Sequence, residues 1–179
     1  MQKFFVLVVL LGILALPLMA QDKVEVFGGY QYLHLSSDLS PVATANGWDA
    51  AVTGKFNKHI GVTGEFGGAY QTIKGVGIHI YTYTGGPVFS VDSAGKVNPF
   101  VHVLFGGARV SGSESGVSVS DSGYTMMMGG GLDLKVSKVV AVRLAQFDWV
   151  YYHFGSSALL PSTSSSGNVK IASGIVFRF

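Results

Sequence analysis

Hydrophobic residues recur at every second position through most of the chain after residue 23, in segments of about ten residues. The last segment shows the alternation clearly. Its apolar parity consists of Phe179, Phe177, Ile175, Ile171 and Val169, with Ser173 as the polar exception. The other parity consists of Arg178, Val176, Gly174, Ala172 and Lys170. A period of two predicts an extended strand with one apolar face and one small or polar face.

Eight such strands are predicted, at residues 24–35, 47–56, 60–70, 78–91, 99–110, 124–136, from Val140 to the residue before Gly155, and 169–179. Short turns at 57–59, 92–98 and 137–138 alternate with longer polar loops at 36–46, 71–77, 111–123 and 155–167. In the seventh strand, Ala145 is predicted to point inward, but the apolar residues that follow it change to the other parity near Gln146. This change predicts a β-bulge, after which Asp148 lies on the polar face. An even number of strands places both termini at the short-turn end.

Aromatic residues of the apolar faces fall into two bands when the strands are placed side by side. We expect the first band near the long-loop end, formed by Tyr30, Tyr32, Trp48, Tyr70, Tyr81, Tyr83, Tyr124, Trp149 and Tyr151. The second is expected near the short turns, formed by Phe56, Phe89, Phe177 and Phe179. Two aromatic girdles indicate a barrel surrounded by lipid, because Trp and Tyr favour both membrane interfaces.

Charged residues collect on the opposite face, which would line the inside of a barrel. They are Glu25, Asp49, Lys55, Glu65, Asp133, Lys135, Arg143, Lys170 and Arg178. An eight-stranded interior is only wide enough for side chains to fill it, and an unpaired charge there is costly. We therefore predict a closed interior of ion pairs, with Glu25 as a partner of the cations on the last strand.

Composition narrows the possible functions. Charged residues make up only 12% of the 179 residues, and no cysteine is present. The near balance of acidic and basic side chains gives no basis for binding nucleic acid. Without cysteine, and without histidines at metal-ligand spacing, we predict no metal and no cofactor.

Residues 1–20 are predicted to be a secretory signal peptide, leaving a single domain at 21–179. Lys3 precedes an apolar run at residues 4–14, and residues 15–20 form the cleavage region. The run is shorter than the roughly 20 residues that a membrane-spanning helix needs.

Residues 21–179 resemble the small outer-membrane β-barrel family of the OmpA/OmpX type. The resemblance rests on the alternating strands, the glycine-rich segments 105–109 and 128–131, and the ending Val176-Phe177-Arg178-Phe179. It implies an all-β, eight-stranded antiparallel transmembrane up-and-down β-barrel in the bacterial outer membrane, in contact with phospholipid and lipopolysaccharide. It also implies that Phe177 and Phe179 form a signal read by the barrel assembly machinery.

The resemblance specifies the compartment better than the activity. We expect a structural or surface-interaction role, with an unknown ligand bound through the long loops. A narrow channel is the first alternative, and a lipid A-modifying enzyme is the second.

No catalytic residue is assigned from the sequence. His34 with Asp121 and Ser122 could suit a lipid A palmitoyltransferase, but the chain has no room for that family's amphipathic helix before the first strand. His153 and Ser156 could suit a deacylase, but a separation of three residues places them on opposite faces of a regular strand.

Overall fold

A computed structural model describes residues 24–37, 40–73, 76–91, 95–114, 117–155 and 163–179. The predicted signal peptide lies outside these described residues. The strands are β1 (Val24–Ser37), β2 (Ser40–Lys55), β3 (Ile60–Ile73), β4 (Val76–Ser90), β5 (Val97–Glu114), β6 (Val117–Lys135), β7 (Val140–Phe154) and β8 (Thr163–Arg178).

Each strand pairs antiparallel with its sequence neighbours, and β1 pairs with β8 to close the barrel. The closing pair runs from Glu25 opposite Arg178 to His34 opposite Val169. Closure leaves no free edge, so every strand has hydrogen-bonded neighbours on both sides. The predicted eight-stranded antiparallel barrel is confirmed.

The strands are longer at the long-loop end than the alternation predicted. β2 begins at Ser40, so most of the predicted loop 36–46 is strand, and β8 begins at Thr163, inside the predicted loop 155–167. β5 and β6 likewise extend into the predicted loop 111–123, as far as Glu114 opposite Val117. The predicted bounds of these loops were wrong because exposed polar strand ends form the same backbone ladder without an apolar face to mark them.

The bulge in β7 is confirmed, and it lies at Leu144 and Ala145. The register against β8 shifts between Arg143 and Gln146, so Leu144 and Ala145 together stand opposite the single residue Ser173. Gln146, not Ala145, is the buried residue that follows Arg143, which corrects the predicted parity. The hydroxyl of Ser173 donates to the backbone oxygen of Arg143 at 3.1 Å. This bond satisfies a carbonyl next to the irregular pairing, and it explains the polar exception in the apolar row.

The two faces of the barrel wall reverse the arrangement of a water-soluble protein. Large apolar side chains such as Phe66, Val101 and Phe147 are more than half exposed on the outside. Charged side chains such as Asp49 and Lys170 are at most 2% exposed on the inside. Across the described ranges, no helix is long and apolar enough to span a membrane.

Candidate functional site

Lys170 of β8 lies at the centre of the interior, where three acidic residues surround its ammonium group. Its Nζ lies 3.1 Å from Asp49 Oδ2 and 3.1 Å from Asp148 Oδ2, and it also contacts Glu65 Oε1. The three carboxylates belong to β2, β7 and β3, so one cation joins four strands across the lumen. We call Lys170, Asp49, Glu65 and Asp148 the central ion cluster.

His102 and Gln146 complete the contacts of this cluster. His102 Nε2 lies 2.7 Å from Asp148 Oδ1 inside the barrel. Gln146 Nε2 donates to Asp148 Oδ2 at 2.7 Å and to Glu65 Oε2 at 3.1 Å. Polar neighbours therefore hold the acidic groups from several directions, as charge burial requires.

Arg143 connects the central ion cluster to charges nearer the short turns. Its Nε and Nη2 donate to the two oxygens of Asp133 at 2.8 and 3.2 Å, and its Nη1 donates to Gln146 Oε1 at 2.7 Å. The guanidinium carbon also lies 4.4 Å from the ring centroid of Phe27 and 4.2 Å from that of Phe100. Two rings and a two-point carboxylate contact fix this planar group across the lumen.

Three further charged residues, Glu25, Lys55 and Arg178, lie together at the short-turn end. Lys55 Nζ donates to Glu25 Oε1 at 2.8 Å. Arg178 Nε lies 3.0 Å from the same oxygen, close enough for an ion pair but poorly aligned for a hydrogen bond. We call Glu25, Lys55, Asp133, Arg143 and Arg178 the short-turn ion cluster.

A cavity of about 20 Å³ lies among these side chains, with room for about one water molecule. Residues of both charge signs line it, including Glu25, Lys55 and Arg178. The cavity is therefore a small polar space among the paired charges.

Apolar side chains fill the interior on the long-loop side of the central ion cluster. Leu104, Ala108, Met127, Val150 and Tyr152 form one buried group, and Leu33, Ala45, Ala69 and Ile80 form another. Leu35 packs against both groups and joins them across the lumen. We call these residues the apolar layer. Alternation did not predict this layer, because its large members are apolar residues at inward positions, where alternation predicts small or polar residues.

The structure brings most of the predicted interior charges together. Glu25, Asp49, Glu65, Asp133, Arg143, Lys170 and Arg178 are buried, whereas Lys55 and Lys135 are half-buried near the short turns. Arg178 pairs with Glu25, but Lys170 pairs with other carboxylates. The predicted set omitted Asp148, His102 and Gln146. Their inward parity, read after the bulge in the case of Asp148 and Gln146, was the signal that could have included them.

The predicted long-loop girdle lies on the outside of the wall. Tyr30, Trp48, Tyr70, Tyr81, Tyr83, Tyr124 and Trp149 are exposed, and Tyr32 and Tyr151 are half-buried. Trp48 Nε1 donates to the hydroxyl of Tyr70 at 3.0 Å, and the Tyr70 and Tyr81 rings meet edge to face at 6.1 Å. Contacts between neighbouring strands thus link several of these rings into a band.

Phe177 and Phe179 lie at the short-turn end of β8, with both side chains exposed on the outer surface. The backbone nitrogen of Phe179 donates to Val24 O at 2.9 Å, and Val24 N donates to Phe179 O at 3.2 Å. The terminal aromatic therefore stands at the seam where β1 and β8 close the barrel.

The residues considered for enzymatic chemistry are arranged differently from the sequence hypotheses. His34 lies on β1 and Asp121 and Ser122 on β6, and these strands are not neighbours. Ser156 lies outside the described residues, and His153 Nδ1 lies 2.8 Å from Ser164 Oγ on the exposed outer surface. Within the described side chains, no carboxylate hydrogen-bonds to His153, and no group of three His, Asp or Glu is arranged to hold a metal ion.

The sequence that forms this closed barrel, with its apolar exterior and paired ionic interior, matches the profile of a known family. The profile of the outer membrane protein beta-barrel domain matches residues 6–179. The chain belongs to this family. It is accordingly a protein of the bacterial outer membrane, and its apolar outer surface contacts lipid.

Solved structures of small outer-membrane barrels share the fold. Neisserial surface protein A has 12% sequence identity and a TM-score of 0.69, covering 87% of this chain and 97% of that chain. Ail, the attachment invasion locus protein of Yersinia pestis, has 19% identity and a TM-score of 0.60, covering 89% and 100%. OprG of Pseudomonas aeruginosa has 9% identity and a TM-score of 0.55, covering 88% and 96%. Comparison with curated protein sequences finds no match.

Proposed function

We propose that this protein is a non-conducting outer-membrane barrel that acts through its long-loop end. The observation that carries the proposal is the filled interior. The central ion cluster joins four strands across the lumen, and the apolar layer follows it on the long-loop side. An ion crossing this barrel would have to separate buried ion pairs and then pass among the side chains of the apolar layer, and both steps are costly.

Conductance in a planar bilayer tests this part of the proposal. Purified wild-type protein, added at low voltage, is expected to give no steady openings, whereas a large porin in the same bilayer gives them. Steady openings of the wild-type protein would overturn the closed interior and favour the narrow-channel alternative.

The extended β5–β6 hairpin supports a role in surface interaction. Its backbone pairing continues beyond Tyr124 to Glu114 opposite Val117, and β4 pairs alongside as far as Gly77 opposite Ser113. Pairing with β4 supports the described part of this hairpin where it extends beyond the tyrosine band, so the hairpin is a suitable element for contact with a partner outside the membrane. Ail, a barrel of the same fold, has been solved in complex with the heparin analogue sucrose octasulfate, so sulfated polysaccharide is a reasonable first probe.

Shortening this hairpin tests the surface role without disturbing the wall. Replacing residues 113–118 by Asn-Gly joins Gly112 to Val119 through a two-residue turn and keeps every pair below it. Cells displaying the shortened barrel are expected to bind immobilised heparin and host cells less than cells displaying the wild type. Shortening the β7–β8 connection within residues 155–162 gives a parallel comparison. Unchanged binding in both variants would contradict the adhesion proposal.

We propose that the barrel has no enzymatic activity. His153 and Ser164 form an exposed pair, but the described side chains supply no carboxylate to orient the imidazole. Mass spectrometry of lipid A from cells with and without the protein is expected to give identical acyl chains. A change in acylation that disappears in Ser164→Ala would establish the lipid A-modifying alternative instead.

We also propose that residues 1–20 direct export and that Phe179, with Phe177, is recognised during assembly by the barrel assembly machinery. Phe179 stands exposed at the closing seam, where a docking partner could reach it. Phe179→Ala is expected to lower outer-membrane yield strongly and the stability of the folded barrel little, with Phe56→Ala, another exposed aromatic at the short-turn end, as the matched control. A normal yield of the Phe179→Ala protein would refute this role.

A further inference from the structure

Arg109 differs from the other arginines of the chain in its position. The sequence contains three arginines, and two of them, Arg143 and Arg178, are buried in the interior. Arg109 is exposed and shares the outward parity of β5 with Val101 and Phe105. It is therefore the arginine of this protein that meets the surroundings of the barrel.

The depth of Arg109 follows from the apolar span that precedes it. β5 carries outward apolar side chains from Val97 to Phe105, and the ring of Tyr83 lies over Gly107. Residues 97–107 have the length of about 9–11 residues that a tilted strand needs to cross the hydrocarbon region. Arg109 follows directly, so it lies at the level of lipid headgroups, where an arginine on the lipid-facing side is tolerated.

Polar groups surround Arg109 on the outer surface. Arg109 Nη2 donates to Ser120 Oγ at 3.1 Å. Its direct cross-strand neighbours are Tyr81 on β4 and Ser122 on β6. His79, exposed on the same face of β4, stands diagonally opposite, within reach of a long side chain. The result is an outward group of a guanidinium, an imidazole and hydroxyls beside the tyrosine band.

We propose that Arg109, together with His79, Ser120 and Ser122, binds the phosphate group of an anionic lipid in the leaflet on the long-loop side. The planar guanidinium offers several N–H donors in the geometry that suits phosphate oxygens, and the bond to Ser120 orients it along the wall. The Arg109 side chain is exposed on the outward face, and none of the ion pairs among the described side chains includes it. Tyr83, opposite Gly107 and nearer the membrane centre, lies against the upper part of the acyl chains.

NMR signals of the arginine side-chain Nε–H groups give a direct test, because the chain has only three arginines and therefore three such signals. The protein is placed in nanodiscs of phosphatidylcholine, and then in nanodiscs that also contain phosphatidylglycerol or lipopolysaccharide. The Arg109 signal is expected to shift with the anionic lipids while the buried Arg143 and Arg178 signals stay in place. A shift with lipopolysaccharide alone assigns the site to a phosphate monoester, and a shift with both assigns it to anionic lipid phosphate in general. An unmoved Arg109 signal in all three would overturn the proposal.

Lipid retention in native mass spectrometry gives an independent measurement. Arg109→Gln is expected to retain about fivefold less anionic lipid than the wild type, the effect of roughly one basic residue at a membrane surface. Lys138→Gln, at an exposed turn position at the other end of the barrel, is the matched control and is expected to retain wild-type amounts. Arg109→Lys should lie between them, since it keeps the charge and loses the planar group. Equal retention by Arg109→Gln and the wild type would contradict the site.

Discussion

The two halves of the interior close the same lumen by different physical means. On the short-turn side, a small apolar group around Phe27 and Val176 is present, but the charged groups dominate and pair through defined distances. Arg143, for example, donates to both oxygens of Asp133 and lies between two aromatic rings. On the long-loop side, Leu35 joins two groups of apolar residues that need only fill space. The charged half depends on direction and on complete pairing, whereas the apolar half depends on volume.

This difference predicts how each half responds to substitution. Removing one member of a buried ionic network leaves its partners charged, buried and unpaired, so the cost exceeds that of the lost contact. Removing part of an apolar side chain costs the lost contacts and a cavity, and neighbours can partly fill it. We therefore expect the largest effects in the charged half.

Lys170→Met is expected to have the largest effect, a loss of about 5 kcal/mol in the free energy of unfolding. It keeps most of the volume and leaves Asp49, Glu65 and Asp148 without their shared cation. Urea unfolding in detergent, followed by the mobility of folded and unfolded protein on gels, measures the change. Adding Glu65→Gln to Lys170→Met should restore part of the stability, and a further loss in the double variant would contradict the pairing.

Leu104→Ala is the matched change in the apolar layer and is expected to cost about 3 kcal/mol. Leu104 is fully buried, as Lys170 nearly is, so the two variants compare burial without and with charge. The same urea titration applies. A larger loss for Leu104→Ala than for Lys170→Met would reverse our comparison of the two halves.

Arg143→Lys is expected to cost about 2 kcal/mol, although it preserves the charge. A lysine ammonium cannot contact both oxygens of Asp133, reach Gln146 and stack between Phe27 and Phe100 at once. The free energies of unfolding of Arg143→Lys and of Lys55→Arg are compared by urea titration. Lys55→Arg also preserves the charge, but at a less buried ion pair, so the comparison separates the effect of geometry from that of charge. Equal stability of Arg143→Lys and wild type would mean that charge alone matters at this position.

Ser173→Val is expected to have the smallest effect, a loss of about 1 kcal/mol. Valine removes the hydroxyl that donates to the Arg143 carbonyl beside the bulge, where the surroundings are lipid. Ser173→Thr is nearly the same shape as Ser173→Val and keeps a hydroxyl, so it is the matched control. If the valine variant is as stable as the threonine variant, the bond does not support the bulge.

Alternation predicted the strand number and the inward and outward faces because both repeat along the chain, and it predicted the bulge because the parity changes there. The position of Lys170 on the inward face followed from parity alone. Its partners did not, because Asp49 and Glu65 lie 121 and 105 residues away and the contacts depend on strand tilt and register across the lumen. Parity can list the charged residues of an interior, but the closed geometry decides which of them meet.

The apolar layer was not predicted for a different reason. Leu33, Leu104, Met127 and Val150 interrupt the alternation, and a rule that assigns every apolar residue to the lipid side misplaces them. Strand ends at the long-loop side were missed because the alternation of apolar residues fades where the wall leaves the membrane, while backbone pairing continues.

The distance along the chain between Lys170 and its carboxylates constrains the order of assembly. Asp49 and Glu65 belong to the first half of the barrel, but their cation arrives only with the last strand. The final hairpin thus completes the backbone ladder and neutralises the interior in one event. A sheet of seven strands would carry open edges and uncompensated carboxylates into hydrocarbon, so insertion is expected to be all-or-none, with closure by β8 as the committing step.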